Sequence, residues 1–391
     1  MKRLKKHIED FIALESAGGI ALIMSAIVAL AWSNLGNASY EQFLHLPLKF
    51  NMLGLEVDLG LHHFANEGLM AIFFLLVAAE LREEVKEGRL SSFEQLALPV
   101  NLAFSGFVMP ACIFLLLTGF SADTISGWAI STTTDIAFAL GILGLFSKRV
   151  PLGLKVTLLA LAIFDDLMAI VVIAIGYSKG IDTTYIMLSG AAVIVLFAMK
   201  YCRVVNLVPY FIVGFVLWAF MVKSGVHATL SGVILAFAIP YGPTEDKRMP
   251  LKDIQHSLHE FVAFFVVPLF TICNAGVYIE NVSFDNLLDP ISIIIATSLF
   301  VGKTVGIFII ACFLILTGWV KKPDNTTFPM LLGMSMIAGI GFTMSLFIGE
   351  LSDIDPVSYK VGVLLGTTIS AVGGSIVLWF SLPKAHELIS K

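Results

Sequence analysis

The stretch LLALAIFDDLMAIVVIAI, residues 158–175, is apolar throughout except for Asp165 and Asp166, side by side at its centre. A run of that length reads as a membrane-spanning helix, because the hydrocarbon core of a bilayer takes roughly 20 mainly apolar residues. A carboxylate at mid-bilayer costs about 2.5–3.5 kcal/mol on insertion scales. Two adjacent acids at that depth therefore mark a function.

Composition agrees that the run lies in a membrane. Of 391 residues, 58% are hydrophobic and 14% charged, against roughly 25% charged in an ordinary soluble domain. The apolar residues come in blocks rather than periodic stripes. The expected fold is an all-α polytopic membrane protein, one transmembrane domain over residues 1–391. The same ruler gives twelve spans, at 11–32, 60–83, 96–118, 126–146, 152–176, 183–199, 205–221, a short eighth at 225–240, 255–276, 290–316, 327–349 and 358–382. No soluble domain is expected. The longest loops are 38–59, where LKFN and LGLEVDL suggest a small external hairpin, and 241–254.

Basic residues set the orientation. With both termini assigned to the cytoplasm, only Lys49, Lys179, Lys223 and Lys360 of the 24 Lys and Arg fall outside, and Lys303 falls within a span. The rest, from Lys2, Arg3, Lys5 and Lys6 to Lys321 and Lys322, are inside, a bias that supports an even number of spans. KRLKK before an apolar stretch with Ala29-Leu30-Ala31 resembles a secretory signal. The stretch is about 20 residues, longer than a signal core, and reads as an uncleaved first helix. The net charge of -5 carries little information beside this asymmetry. Cys112, Cys202, Cys273 and Cys312 are scattered without CxxC spacing and read as apolar packing, not as a disulfide framework or zinc site. Nothing resembles a nucleic-acid footprint or a phosphate-binding loop.

Ionisable residues near mid-depth are few. Asp135 lies in GWAISTTTDIAFALG, Asp165 and Asp166 in the fifth span, and Lys303 in SLFVGKTVGIFII of the tenth. Unpaired, four such charges would cost on the order of 10–14 kcal/mol, so they must converge on each other, on protons or on water. A single structural salt bridge would account for one acid and the lysine. Three carboxylates against one amine leave at least one acid to be protonated or to bind a cation. Consecutive helix positions point about 100° apart, so Asp165 and Asp166 cannot both face one partner. Carboxylate oxygens suit hard cations, and protons competing with a small cation for the same oxygens constitute an exchange mechanism.

Ser131, Thr132, Thr133 and Thr134 adjoin Asp135 in a span that also holds Gly127, Gly141 and Gly144. Their hydroxyls can coordinate a cation or satisfy an unwound backbone. The eleventh span has a comparable interruption, GMSMIAGIGFTMS, with Gly333, Gly339, Gly341 and Thr343. Paired glycine-rich breaks in two halves point to crossed half-helices around a midplane site, with close helix packing as the alternative reading.

Several strings, in this order, resemble the NhaA family of sodium/proton antiporters of bacterial inner membranes: ESAGGI, AIFFLLVAAELREE, GWAISTTTDIAFALG, VPLGLKVTLLALAIFDDL, KSGVHATLSGV, VVPLFTICNAGV, GKTVGI and GIGFTMSLFI. They run over nearly the whole chain. The resemblance implies twelve spans with an inverted repeat of spans three to five and ten to twelve, the fourth and eleventh helices being discontinuous and crossed. It implies Asp166 as principal cation and proton ligand, Asp165 as its partner released from Lys303 during the cycle, and Thr134 and Asp135 assisting the cation or the crossing. Lys303 and Asp135 would compensate the exposed helix dipoles. Glu80, Glu84, His256 and His259 match the family's cytoplasmic pH-sensing region, and His227 is also associated with pH response. Interfacial solvation is the alternative for these histidines, although imidazole does titrate in the relevant range.

The chain departs from the family pattern. Ser131 and Thr304 stand where prolines are usual, which counts against unwinding at Asp135 and against a bend beyond Lys303. Glu83 stands where a basic residue is common, and Gln255 where glutamate is. The expected activity is electrogenic, pH-regulated exchange of cytoplasmic Na+ or Li+ for external protons, with no cofactor, no enzymatic activity, and a homodimer through the 45–58 hairpin by resemblance. A sodium-coupled solute symporter on a similar broken-helix fold is the runner-up. An intramembrane aspartyl protease typically carries a GxGD string, which is missing, and three competing carboxylates fit a retinal pump poorly.

Overall fold

A computed structural model describes residues 2–52, 55–86, 93–146, 149–178, 180–242, 249–278 and 289–383. The opening stretch lies within a helix at Leu152–Gly176, about 37 Å long at 1.5 Å per residue and thus sufficient for the roughly 30 Å hydrocarbon core. Among the described residues nine helices are long and apolar enough to cross a membrane, all at positions read from the sequence. In chain order the helices are α1 (Lys2–Leu35), α2 (Asn37–Leu44), α3 (Leu61–Lys86), α4 (Phe93–Leu117), α5 (Ile136–Leu145), α6 (Leu152–Gly176), α7 (Thr183–Tyr201), α8 (Leu207–Ser224), α9 (Leu230–Ala238), α10 (Pro250–Asn274), α11 (Pro290–Leu316), α12 (Phe328–Ile337), α13 (Phe342–Leu351) and α14 (Pro356–Ser381).

The differences from twelve uninterrupted spans fall at three places. The eleventh span divides into α12 and α13, bent by 41° across 338–341. In the fourth, a 3-10 turn at Ile125–Gly127 leads through non-helical backbone to α5, ten residues long. The eighth contains only α9, nine residues. Helices of nine or ten residues reach about 14–15 Å, half the hydrocarbon thickness.

The expected hairpin is present as β1 (Pro47–Met52) and β2 (Leu55–Gly60), antiparallel with Lys49 opposite Asp58. Its turn, 53–54, lies outside the described residues, as do Arg89, Lys148, Lys179, Lys247 and Arg248 of the basic-residue count.

The chain forms two compact units. Unit 1 comprises Met1–Leu30, Ser92–Ala169 and Val277–Lys391. Within it α11 lies against α4 through Gly302 and Gly306. A Cβ at Gly302 would come within 2.6 Å of Pro110 Cα, and one at Gly306 within 2.7 Å of the Ser105 carbonyl oxygen. This is the small-xxx-small device by which membrane helices bring their backbones together. α14 packs against both the first half of α11 and α12. Unit 2 comprises Ala31–Ser91 and Ile170–Gly276. There α9 sits on α3 so closely that a Cβ at Gly232 would collide with the Ala71 carbonyl oxygen. α7 lies on α8, and the core includes Leu75, Tyr210, Leu217, Trp218 and Leu235. Large apolar side chains remain outside both cores, among them Ile20, Ile175, Ile194, Phe313 and Phe380, as expected of surfaces solvated by lipid.

Candidate functional site: two chain breaks and a buried charge cluster

The break before α5 survives without the missing proline. Thr132 donates its hydroxyl back to the Ala129 carbonyl at 2.9 Å, a local alternative to helical bonding that short hydroxyl side chains offer. The backbone N–H of Asp135 donates to the Ile340 carbonyl at 2.7 Å, in the break between α12 and α13. Each interruption thus supplies partners the other lacks, and the expectation that Ser131 opposes unwinding is corrected. At Thr304 the proline's absence has the expected result: the chain is α-helical from Lys303 to Leu316. The irregularity falls just before it, as a π-helical turn at Ser298–Gly302.

Asp135 caps two helices. Its Oδ1 accepts from Phe138 N at 2.9 Å in the first turn of α5. Its Oδ2 accepts from Thr343 N at 3.0 Å, in the first turn of α13, and from the Thr343 hydroxyl. The first N–H groups of a helix have no internal acceptor, and the helix dipole is positive there, so an anion is favoured on both counts. Replacement by alanine is expected to cost about 1 kcal/mol per cap, hence roughly 2 kcal/mol. Asparagine, with one acceptor oxygen, should lose about half of that. Unfolding of the two variants in detergent checks the ordering, and equal losses would argue against shared capping.

Asp165 and Lys303, both fully buried, form an ion pair through Oδ2 and Nζ. Lys303 also donates to Thr134 Oγ1 at 3.0 Å. That hydroxyl lies 2.7 Å from Asp165 Oδ2 and 2.7 Å from the Ala338 carbonyl oxygen just beyond α12. A hydroxyl has one hydrogen, so it can satisfy one of these acceptors at a time. Asp165 Oδ1 has no hydrogen-bond partner among the described residues. Asp166 is 1% exposed and interacts electrostatically with Lys303, while the direct bonds of Lys303 go to its neighbour, as the 100° helical step requires. Thr133 and Ser345 place their hydroxyls 3.4 Å apart across the breaks. Asp135, Asp165, Asp166, Thr134 and Lys303 are thus all buried in one unit, with three acids and one ammonium.

The remaining expected residues lie in unit 2. Glu80 Oε1 and His259 Nδ1 are 3.1 Å apart, and beside them Glu83 pairs with Lys252 at 3.1 Å. Glu84 is half-buried and His256 is exposed. Arg82 is buried and donates to the carbonyls of Ala236 and Ile239 at the end of α9. His227 meets Glu67, an acid that mid-depth scanning passes over because it lies near the start of the second apolar run. Its signal was a lone glutamate inside FANEGLMAIFF.

Buried acids opposed by one lysine, beside paired helix breaks in a multi-pass membrane protein, are the make-up of an ion-coupled transporter. A sequence profile of the family described as Na+/H+ antiporter 1 matches residues 9–378. The Na(+)/H(+) antiporter NhaA 2 of Pseudomonas syringae pv. syringae is 45% identical over 380 residues, covering 95% of this chain and 94% of that protein. The NhaA of Vibrio vulnificus is 43% identical over 384 residues, 96% of each chain. That of Yersinia pseudotuberculosis is 41% identical over 389 residues, 98% of each. The chain belongs to the Na+/H+ antiporter 1 family.

Proposed function

We propose that this protein exchanges Na+ for protons across the membrane, as its relatives are named for doing. The observation that carries the reading is the burial of three acids with a single lysine in one unit beside the two chain breaks, where Asp135 bridges two helix caps and Asp165 pairs with Lys303. Asp166, buried in the same cluster, is by resemblance to the family the principal ligand for which Na+ and protons compete. Asp165 joins it when Lys303 lets go, and Thr134 adds a hydroxyl oxygen. Carboxylate and hydroxyl oxygens accept a hard monovalent cation such as Na+ or Li+.

The two breaks are read as crossed half-helices. The spans formed by α4, the α5 region and α6 correspond in order to α11, α12 with α13, and α14, which supports an inverted repeat within a twelve-span fold. The basic-residue bias supports a bacterial inner-membrane location with both termini in the cytoplasm. Glu80, Glu84, His227, His256 and His259 are assigned to pH response, the Glu80–His259 contact supporting that assignment most directly. The two-stranded hairpin β1–β2 offers a strand edge on which a homodimer could form.

Transport is electrogenic in this scheme. Two protons on Asp165 and Asp166 move one way and a single cation the other, so one net charge crosses per cycle. Reversal potentials of the reconstituted protein should depend on membrane voltage. Voltage independence would sink the two-for-one stoichiometry. Adding Na+, Li+ or K+ to energised everted vesicles and recording collapse of the proton gradient tests exchange itself. Cation movement that required an organic solute would favour a symporter instead.

A further inference from the structure

Three buried oxygens of unit 2 have no part in this scheme. Asn66, Thr229 and Asn274 are 4%, 1% and 0% exposed, and Asn66 Oδ1, Thr229 Oγ1 and Asn274 Oδ1 have no hydrogen-bond partner among the described residues. The Asn274 amide is oriented by its own helix. Its Nδ2 donates to the Phe270 carbonyl at 2.9 Å, which leaves the oxygen as the atom turned away from that bond. Packing gathers the three residues. Glu80 faces His259 and, further along, Glu83 faces Lys252, so α3 and α10 run antiparallel. Equal steps back from Glu80 along α3 and forward from His259 along α10 bring Asn66 opposite Cys273 and Asn274. The end of α10 does pack on the π-helical turn at Ala65–Leu69 that carries Asn66. The turn before α9 is tied to the same place, because Ala228 N donates to Glu67 Oε2 at 2.8 Å, and Thr229 is the next residue.

We infer that Asn66, Thr229 and Asn274 together hold one Na+, at a binding site in unit 2 built from neutral oxygens and separate from the aspartates. A buried acceptor without a partner is costly, and three beside one another call for a donor or a positive charge. A water molecule has two hydrogens to give, whereas a cation can face all three oxygens at once. Amide and hydroxyl oxygens suit a hard monovalent ion. Ca2+ and Mg2+ sites draw on carboxylates, and the nearest acid along the chain, Glu67, has both oxygens engaged, one by Ala228 N and the other facing His227 Nδ1 at 3.3 Å. Glu67 therefore adds its field to the site and not a ligand. Two further features favour a cation there. Asn274 is the last residue of α10, where the helix dipole is negative. Asn66 sits in a π-helical turn, a departure from α-geometry that frequently marks functional positions, and Trp218 Nε1 pins that turn through the Glu67 carbonyl at 3.0 Å.

Equilibrium binding of radioactive Na+ to the purified full chain, at one fixed pH and with choline holding the ionic strength, tests this. The Asp166→Asn chain, which lacks the principal ligand of the exchange site, should still bind one Na+. Adding Thr229→Val or Asn274→Leu should weaken that binding about tenfold, the loss expected when one buried polar partner is removed. Asn274→Asp keeps an oxygen in place and should retain it. Thr229→Val changes side-chain volume least, so it carries the test if the leucine variant fails to fold. An Asp166→Asn chain that bound no Na+ would overturn the proposal. So would binding that neither Thr229→Val nor Asn274→Leu disturbed, the result expected if water alone satisfies these oxygens. The readout needs no exchange. A wild-type protein that failed to exchange Na+ for protons yet bound Na+ in this pattern would remove the antiport reading and leave the second site standing.

Discussion

Asp166→Asn will abolish Na+-dependent proton release in everted vesicles while leaving the protein folded and membrane-inserted. Asparagine keeps the size of the side chain and one acceptor oxygen but can neither carry the exchanged proton nor offer a formal charge to a cation. Asp166 is buried to 1% exposure, so no bulk water compensates for the loss, and the expected effect is a fall to background rather than a shift in affinity. The substitution also removes a buried charge, so stability should hold or rise slightly. Retained exchange in the variant, at any Na+ concentration, would mean that the ligand has been misassigned and that Asp165 does the work alone.

The second large effect concerns Lys303. Truncation to alanine leaves Asp165 buried at 0% exposure without its countercharge. Removing one partner of a buried ion pair typically costs about 3–5 kcal/mol, because the remaining charge is stranded. Lys303→Ala should therefore melt well below wild type. Lys303→Ala combined with Asp165→Asn should recover most of the difference, since neither partner is then left charged. A single variant with an unchanged thermal midpoint and an unchanged transport pH profile would argue against the pair. A double variant as unstable as the single one would assign the loss to packing of the lysine stem instead of charge.

Most of the fold was legible because a bilayer imposes one rule on length and polarity, and residues such as 158–175 follow it without tertiary help. The acids at mid-depth were legible for the same reason, their cost being local. What escaped depended on distant partners. Ser131 in place of proline counted against a break, yet the break is held by Ile340 and Ala338, some two hundred residues further along the chain. Glu67 gave little notice because its meaning lies in His227, 160 residues away. Similarly, His256 and His259 read alike in sequence, but only His259 meets Glu80.

The double cap at Asp135 also has a mechanical consequence. Because Asp135 belongs to the start of α5 and its carboxylate also holds the start of α13, the two short helices cannot separate without α13 losing its cap. The pair is geared: a small displacement begun at either short helix is handed to its counterpart through a single side chain. A proline would have fixed each bend separately and permanently. A gear of hydrogen bonds can be disengaged and re-formed on every turnover.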